Sequence, residues 1–177
     1  MTAIDTAGLS PSEAVIVTTL ALDLPGAPAR RDGWRYATVV ELLLDVGRLF
    51  TPTPWRSGEP QGEPGRCYIE SASWACAVDG LAYAEGLAWD GLRPVRHAWC
   101  GDAAGAAVDP TWRTPGTVYL GLPVDARTAS DLMGRQAGPL LHHSKPLLRQ
   151  WLQHGVPGEL LVDCGRPVPA AAEGSRR

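Results

Sequence analysis

Residues 67–112 decide the fold and read CYIESASWACAVDGLAYAEGLAWDGLRPVRHAWCGDAAGAAVDPTW. The stretch follows residues 51–66, a run so rich in Pro and Gly that it predicts a loop and no helix. Residues 67–78 predict a helix that ends at Asp79-Gly80. Cys67 is therefore expected at the N-terminus of a helix, directly after a loop.

Strands are predicted after this helix. Large side chains alternate with small ones over residues 81–89, a pattern of period two that is typical of a β-strand. Further strands are predicted over residues 94–100, 106–109 and 117–122, with a turn at residues 101–105. The short connections favour an antiparallel meander.

Helices are predicted on both sides of this region. Ser10, Pro11 and Glu13 form a helix-start signature, and the helix is expected to end near Leu22. Apolar residues recur at helical spacing over residues 38–50, which predicts a second helix. Two C-terminal helices are predicted, over residues 130–141 and 144–153.

The predicted fold class is α+β. N-terminal helices and the Cys-bearing helix are expected to pack on a small antiparallel sheet, and helices follow at the C-terminal end. The 177-residue length favours one domain, over residues 1–165. Residues 166–177 are expected to be a disordered tail.

Composition narrows the classes of partner. The net charge of −3 gives no reason to expect nucleic acid as a partner. No stretch approaches the ~20 apolar residues that span a bilayer, and no secretory signal is apparent, so a cytoplasmic protein without a membrane partner is expected. The oligomeric state stays open.

The four cysteines are expected to be free thiols, since no signal peptide indicates an oxidising compartment. Cys76, Cys100 and Cys164 are interpreted as structural. The chain contains no Asn, so a Cys-His-Asn triad is excluded and any third member must be an acid or Gln.

Cys67, His97 and Asp109 form the pattern of a cysteine nucleophile. Such an enzyme needs a thiolate, favoured at a helix N-terminus, and an imidazole within hydrogen-bond reach. It also needs a group that orients the imidazole. Neighbouring strands lie about 4.8 Å apart, so His97 and Asp109 can meet although 12 residues separate them. The alternative for Asp109 is a residue that only opens an Asp-Pro turn.

Two motifs carry a family resemblance. His97-Ala98-Trp99 and Val108-Asp109-Pro110-Thr111-Trp112, after a cysteine helix, resemble the transglutaminase-like branch of the papain-like superfamily. The resemblance implies a catalytic order of Cys, His and Asp.

The chain also resembles a set of small bacterial and phage proteins. Five segments match in order: Cys67-Tyr68, Tyr83-Ala84-Glu85-Gly86, His97-Ala98-Trp99, Asp109-Pro110-Thr111-Trp112 and Tyr119-Leu120-Gly121-Leu122-Pro123. These segments span about residues 66–123, a third of the chain. Glu70 departs from the pattern, because those proteins carry Asn at this position.

Four further residues are candidates for substrate binding: Tyr83, Glu85, Trp99 and Gln61. Glu85 is alternatively an exposed strand glutamate, and Trp99, like Trp112, is alternatively a packing residue. Papain-like enzymes place a Gln donor to the oxyanion at a similar offset before the cysteine, which suggests Gln61 for that role. The backbone N–H of Cys67 is the other candidate donor.

No metal or cofactor is expected. Strand alternation directs His97 and Cys100 to opposite faces, and the chain has no Cys-x-x-Cys motif. Asp102 is interpreted as a turn residue. The remaining histidines are expected on the C-terminal helices, at the surface or hydrogen-bonded: His142, His143 and His154.

The predicted activity is acyl transfer or hydrolysis through a thioester, on an amide, peptide or ester bond. The expected partner is a peptide or a small amide substrate. Peptide maturation is a special case, because lasso-peptide leader peptidases share the Cys-His-Asp logic. The alternative is an inactive binding or scaffolding module of the same fold.

Overall fold

A computed structural model describes residues 6–55 and 59–169, and within them it shows a mixed α+β fold. None of the helices in these ranges is long and apolar enough to cross a bilayer. The elements in chain order are α1 (Pro11–Asp23), α2 (Val39–Val46), β1 (Arg48–Thr53), α3 (Cys67–Ala77), β2 (Leu81–Trp89), β3 (Pro94–Asp102), β4 (Ala106–Val108), β5 (Val118–Val124), α4 (Ala126–Gln136), α5 (Pro146–His154) and β6 (Arg166–Pro167).

Helix α1 begins as the sequence predicts. The Ser10 hydroxyl accepts a hydrogen bond from the Glu13 backbone N–H (3.4 Å), and the Glu13 carboxylate accepts one from the Ser10 N–H (2.7 Å). This reciprocal capping box satisfies two N–H groups that a helix start leaves unpaired. Such a cap contributes about 1 kcal/mol to stability.

The prediction of one helix over residues 38–50 is wrong in its last third. Helix α2 ends at Val46, and the chain continues as β1. Leu49 pairs with Leu120 of β5, and Thr51 pairs in parallel with Ala106 of β4. Pairing on both edges outweighs the local helical spacing. Of the predicted loop, residues 51–53 belong to β1, and residues 56–58 lie outside the described residues.

The sheet closes on itself, which corrects the expected antiparallel meander. The strand order is β4-β3-β2-β5-β1-β6, and β1 also pairs with β4, in parallel. Strand β5 therefore lies beside β2 and not beside β4. Strands β2 and β3 occupy the predicted positions, although β3 continues to Asp102.

The closed sheet has two faces with different roles. Its inner face encloses a cluster that includes Phe50, Trp99 and Tyr119, and the Trp99 ring meets Phe50 edge-on at 5.6 Å. The outer face packs against the helices, with Tyr83, Leu120 and other apolar side chains in the larger core. The helices thus pack against the outer face of the sheet.

The C-terminal region differs from its prediction. Arg166–Pro167 forms β6 against β1, and Val168 is buried, so residues 166–169 are ordered and not a tail. The Arg166 guanidinium donates to the Gly8 carbonyl (2.6 Å) and pairs with the Glu13 carboxylate. These contacts hold residues 166–169 in place, which the polar composition of the segment does not predict. The rest of the predicted tail, residues 170–177, lies outside the described residues.

The helices at this end are also shifted. Helix α4 begins four residues earlier than predicted, because the Asp125 carboxylate caps it by accepting hydrogen bonds from the Thr128 N–H and hydroxyl, both 2.9 Å. It ends where Ala137 adopts a left-handed conformation (φ 50°). The segment between Ala137 and α5 is therefore not helical, and it forms a wall of the site described below.

The close packing inside the closed sheet can be tested at Gly121. A Cβ there would lie 2.5 Å from the Trp99 ring and 2.6 Å from the Glu85 carbonyl oxygen. We expect Gly121→Ala to lower the free energy of unfolding by about 1–3 kcal/mol, as overpacking does. Gly134→Ala in α4, with nothing within 4 Å, is the matched control and should raise it by about 0.5–1 kcal/mol. Equal effects in urea unfolding would contradict the packing described.

Candidate active site

Cys67 is the first residue of α3, as predicted. The first intrahelical hydrogen bond runs from the Glu70 N–H to the Arg66 carbonyl (3.0 Å), and Arg66 caps the helix without a side-chain hydrogen bond. The N–H groups of the first helical residues thus remain available near the thiol. Their partial positive charge favours an anion at Cys67, whose residue is 8% exposed.

His97 joins this thiol to Asp109. Its Nε2 lies 2.6 Å from the Asp109 Oδ2, and the Cys67 side chain is close enough to raise the pKa of the imidazole. Strand β4 pairs with β3 only at Cys100 and Gly101, so the edge of β3 beside His97 lacks a β4 partner. Helix α3 packs on β3, and its first residue reaches the imidazole where this edge is uncovered. The three predicted residues therefore lie together, with His97 hydrogen-bonded to Asp109 and influenced by Cys67.

Asp109 is buried and saturated with donors. Its Oδ1 accepts from the Thr111 N–H (2.9 Å), the Thr111 hydroxyl (3.1 Å) and the Trp112 N–H (3.0 Å). Its Oδ2 accepts from His97 and from the Tyr119 hydroxyl (3.0 Å). Burial alone raises the pKa of this carboxyl, but the bonds from His97, Thr111 and Trp112 outweigh it, so the pKa lies below its usual range. Asp109 thus opens the Asp-Pro turn and orients the imidazole as well.

The protonation of His97 follows from these neighbours. Burial lowers the pKa of the imidazole, whereas the hydrogen bonds and charges of Asp109 and Cys67 raise it. The second effect dominates and brings the His97 pKa from 6.5 to about 9. An imidazolium at neutral pH is the form that stabilises a neighbouring thiolate.

Trp112 covers the imidazole and is itself held in place. Its ring stacks on His97 with centroids 4.2 Å apart and planes 27° apart. Its carbonyl accepts from the Gln61 side-chain amide (2.8 Å), and the Gly62 N–H donates to the Pro110 carbonyl (2.8 Å). The amide of Gln61 is therefore engaged in tying the loop before Cys67 to the segment after Asp109. This bond uses one of the two N–H donors of the amide.

Two predicted substrate-binding residues are corrected by the structure. Tyr83 and Trp99 are 0% exposed. Tyr83 lies in the core between helices and sheet, and Trp99 lies inside the closed sheet, so neither side chain reaches a substrate in this arrangement. Trp99 is a packing residue, the alternative that the sequence left open.

The interpretation of Glu85 as an exposed strand residue is also wrong. The residue is 3% exposed, because helices cover the sheet face on which it lies. Its carboxylate accepts from the Tyr83 hydroxyl (2.7 Å) and from the N–H groups of Leu140 and Leu141 (both 2.8 Å). Burial is the largest influence on this carboxyl and raises its pKa. Glu85 thus anchors the segment between α4 and α5 to β2.

A cleft of about 360 Å³ lies between this segment and the start of α3. Glu85 lies in its wall, together with residues adjacent in sequence to Cys67 and His97. The lining residues are Val39, Leu43, Tyr68, Glu85, Gly86, Leu87, Arg96, Pro139, Leu141, His142 and His143.

Sequence reasoning missed several residues that build the site. Tyr119 donates to Asp109 and accepts from the Gly116 N–H (2.9 Å), so it fixes the acid from the inner face of β5. Its segment, residues 119–123, is one of the five that carry the family resemblance, but the resemblance assigns it no role. Tyr68 and Arg96 flank the cleft, and only their places beside Cys67 and His97 could have indicated them.

The remaining predicted residues take the following positions. Cys100 lies on the face opposite His97 and donates to the Ser71 carbonyl (3.4 Å), as alternation predicts. Asp102, expected in the turn, is the last residue of β3, and its carboxylate accepts from the N–H groups of Ala104 and Ala106 in the segment that follows. All four cysteines are free thiols, with Cys76 exposed and Cys164 buried. Within residues 6–55 and 59–169, no three His, Cys, Asp or Glu side chains converge as a metal site would need.

The positions of the C-terminal histidines agree only in part with the prediction. His142 and His143 lie in the segment before α5 and not on a helix, and their rings stack with centroids 4.7 Å apart. Both line the cleft. His154 is exposed at the end of α5.

No family model matches this chain, and neither the curated proteins nor the solved structures contain a significant match to it.

The charge on Asp109 can be tested through the titration of His97. We expect Asp109→Asn to lower the His97 pKa from about 9 toward its ordinary 6.5, because the amide lacks the negative charge that offsets the effect of burial on this pKa. NMR of the imidazole ring measures both values. An unchanged titration in Asp109→Asn would contradict the pairing.

The same shift predicts how stability depends on pH. The folded-state pKa of about 9 lies above the ordinary 6.5, so the stabilisation from the imidazolium is complete below pH 6.5. It is lost as the pH rises through about 9. Urea unfolding across this window should show a decline for the unmodified protein that is smaller in Asp109→Asn.

The hydrogen bonds of Glu85 predict that replacing this residue lowers the stability of the fold, independently of the charges at Cys67, His97 and Asp109. In Glu85→Gln the side-chain NH₂ faces hydrogen-bond donors with which it cannot pair. At least one buried donor therefore loses its acceptor, at a cost of about 1–3 kcal/mol. Glu159→Gln, at an exposed position, should change stability by less than about 0.5 kcal/mol. Hydrogen exchange at Leu140 and Leu141 should rise in Glu85→Gln alone; unchanged protection there would argue against the anchor.

Proposed function

We propose that the protein is a cysteine-nucleophile enzyme that transfers or hydrolyses acyl groups of a peptide or small amide through a thioester. The observation that carries the proposal is the hydrogen bond between His97 and the buried Asp109, with the Cys67 side chain near enough to the imidazole to raise its pKa. A buried acid that aligns an imidazole beside a thiol at a helix start has the geometry of a triad.

The proposed chemistry follows from these three side chains. The Cys67 thiolate attacks the carbonyl carbon, and the electron pair of the C=O bond moves to the oxygen. Backbone N–H groups at the start of α3 stabilise the resulting oxyanion. The His97 imidazolium then gives its proton to the leaving amine as the C–N bond breaks, and an acyl thioester remains on Cys67.

The thioester is resolved by a second nucleophile. Neutral His97 takes a proton from water or from an acceptor amine as that group attacks the carbonyl carbon. Collapse of the intermediate expels the Cys67 thiolate and regenerates the imidazolium. Water yields hydrolysis and an amine yields transfer, and both routes use the same three side chains.

The order of elements supports membership of the transglutaminase-like branch of the papain-like superfamily. A cysteine helix, a His strand and an Asp turn follow one another along the chain, in the order that the resemblance implies. Glu70, which replaces Asn of the similar small proteins, packs against the loop that carries Gln61. A Cβ on Gly62 would lie 2.8 Å from the Glu70 Cγ. The departure therefore lies at a contact with this loop and not at Cys67, His97 or Asp109.

Selective alkylation of the thiols tests this proposal. Cys76 is exposed and Cys67 is buried, so accessibility alone predicts faster labelling of Cys76. An imidazolium-paired thiolate predicts the opposite order with iodoacetamide at mildly acidic pH, by at least about tenfold, because an ordinary thiol near pKa 8.5 is then almost fully protonated. Peptide mass mapping reads all four sites, and Cys100 and Cys164 serve as buried controls.

The variants separate activation from exposure. His97→Gln should abolish the preference for Cys67 and leave Cys76 unaffected. Cys76 labelled ahead of Cys67 in the unmodified protein would overturn the proposal and favour the inactive binding module. A mass increase from an acyl group trapped on Cys67, absent in Cys67→Ala, then establishes the thioester.

A further inference from the structure

The cleft beside the triad combines an apolar wall with a cationic edge. Side chains of α2, β2 and the segment before α5 supply the apolar wall: Val39, Leu43, Leu87, Pro139 and Leu141. Its volume of about 360 Å³ exceeds what one large apolar side chain fills. Tyr68 directly follows Cys67 and Arg96 directly precedes His97, so the cleft lies beside the candidate triad, although Cys67 and His97 do not themselves line it.

Arg96 is the cation and Glu85 the acid among the side chains that line the cleft. Arg96 is exposed, and its guanidinium donates to the Leu141 carbonyl (3.2 Å). It forms no ion pair within 4 Å among the residues that the structure describes. His142 and His143 also line the cleft. Glu85 is the one acid in the wall, and its oxygens already accept three hydrogen bonds.

We propose that this cleft binds an apolar side chain with an adjacent carboxylate, so that the substrates of Cys67 are peptides or amides of anionic, apolar character. The apolar group packs against the aliphatic wall and is removed from water. The carboxylate pairs with the Arg96 guanidinium, whose planar fork suits two-point recognition. The link to catalysis rests on the proposed function, whereas the binding does not.

Binding to the Cys67→Ala variant tests the cleft without any turnover. Calorimetric titration compares N-acetyl-phenylalanine, its neutral amide and N-acetylglycine. We expect the first to bind at least about tenfold more tightly than either of the others, because only it has both groups. N-acetyl-phenylalanyl-aspartamide places the carboxylate on the next side chain, and tighter binding of one of the two acids identifies the source. Equal affinities for acid and amide, or binding of none, would overturn the inference.

Arginine variants locate the carboxylate. Arg96→Gln should weaken the two acids about tenfold and leave the neutral amide unchanged. Arg93→Gln is the matched control, since Arg93 lies on the same hairpin but does not line the cleft. Equal losses in both variants would indicate a general charge effect and contradict the site.

Alkylation of Cys67 connects the cleft to the nucleophile. N-iodoacetyl-phenylalanine should label Cys67 with saturable kinetics and faster than its amide, and Arg96→Gln should remove the difference. Rapid labelling of Cys67 by iodoacetamide without binding of any ligand rejects the cleft and retains the triad. Ligand binding in Cys67→Ala without preferential labelling of Cys67 rejects the triad and retains the cleft.

Discussion

The hydrogen bond between the buried Asp109 carboxylate and His97 is the interaction on which the site depends. Removing a carboxylate from water costs several kcal/mol unless hydrogen bonds and an opposite charge compensate. Five donor groups converge on Asp109, from His97, Thr111, Trp112 and Tyr119. They come from β3, β5 and the turn between β4 and β5, so the closed sheet must form before the acid is satisfied.

The same constraint explains which parts of the fold the sequence predicts. Strands β2 and β3 pair with each other through a tight hairpin, so their local alternation is sufficient. Strands β1 and β6 depend on partners far along the chain. Arg48 pairs with Gly121 and Pro167, and no local pattern carries that information. The closed sheet was therefore not predictable from periodicity, although the α+β class was.

The site divides in a similar way. The order of Cys67, His97 and Asp109 after a Pro/Gly loop was sufficient to select the three residues. Their supports were not predictable, because the Gln61 bond to Trp112 and the Tyr119 bond to Asp109 join segments 51 and 10 residues apart. The error at Glu85 has a related cause. Period-two alternation shows that a side chain shares a face with its neighbours, but not whether helices cover that face.

Two buried acids lie on opposite faces of this sheet, and their neighbours give them different roles. Both accept hydrogen bonds from two backbone N–H groups and a tyrosine hydroxyl. Asp109 also faces the His97 imidazolium, and its pKa falls, whereas burial dominates at Glu85, whose hydrogen-bond donors are neutral, and its pKa rises. The acid with the cationic partner can stabilise a change of charge at the reacting groups. The other can only position the chain, and the segment it positions forms the wall of the cleft beside Cys67.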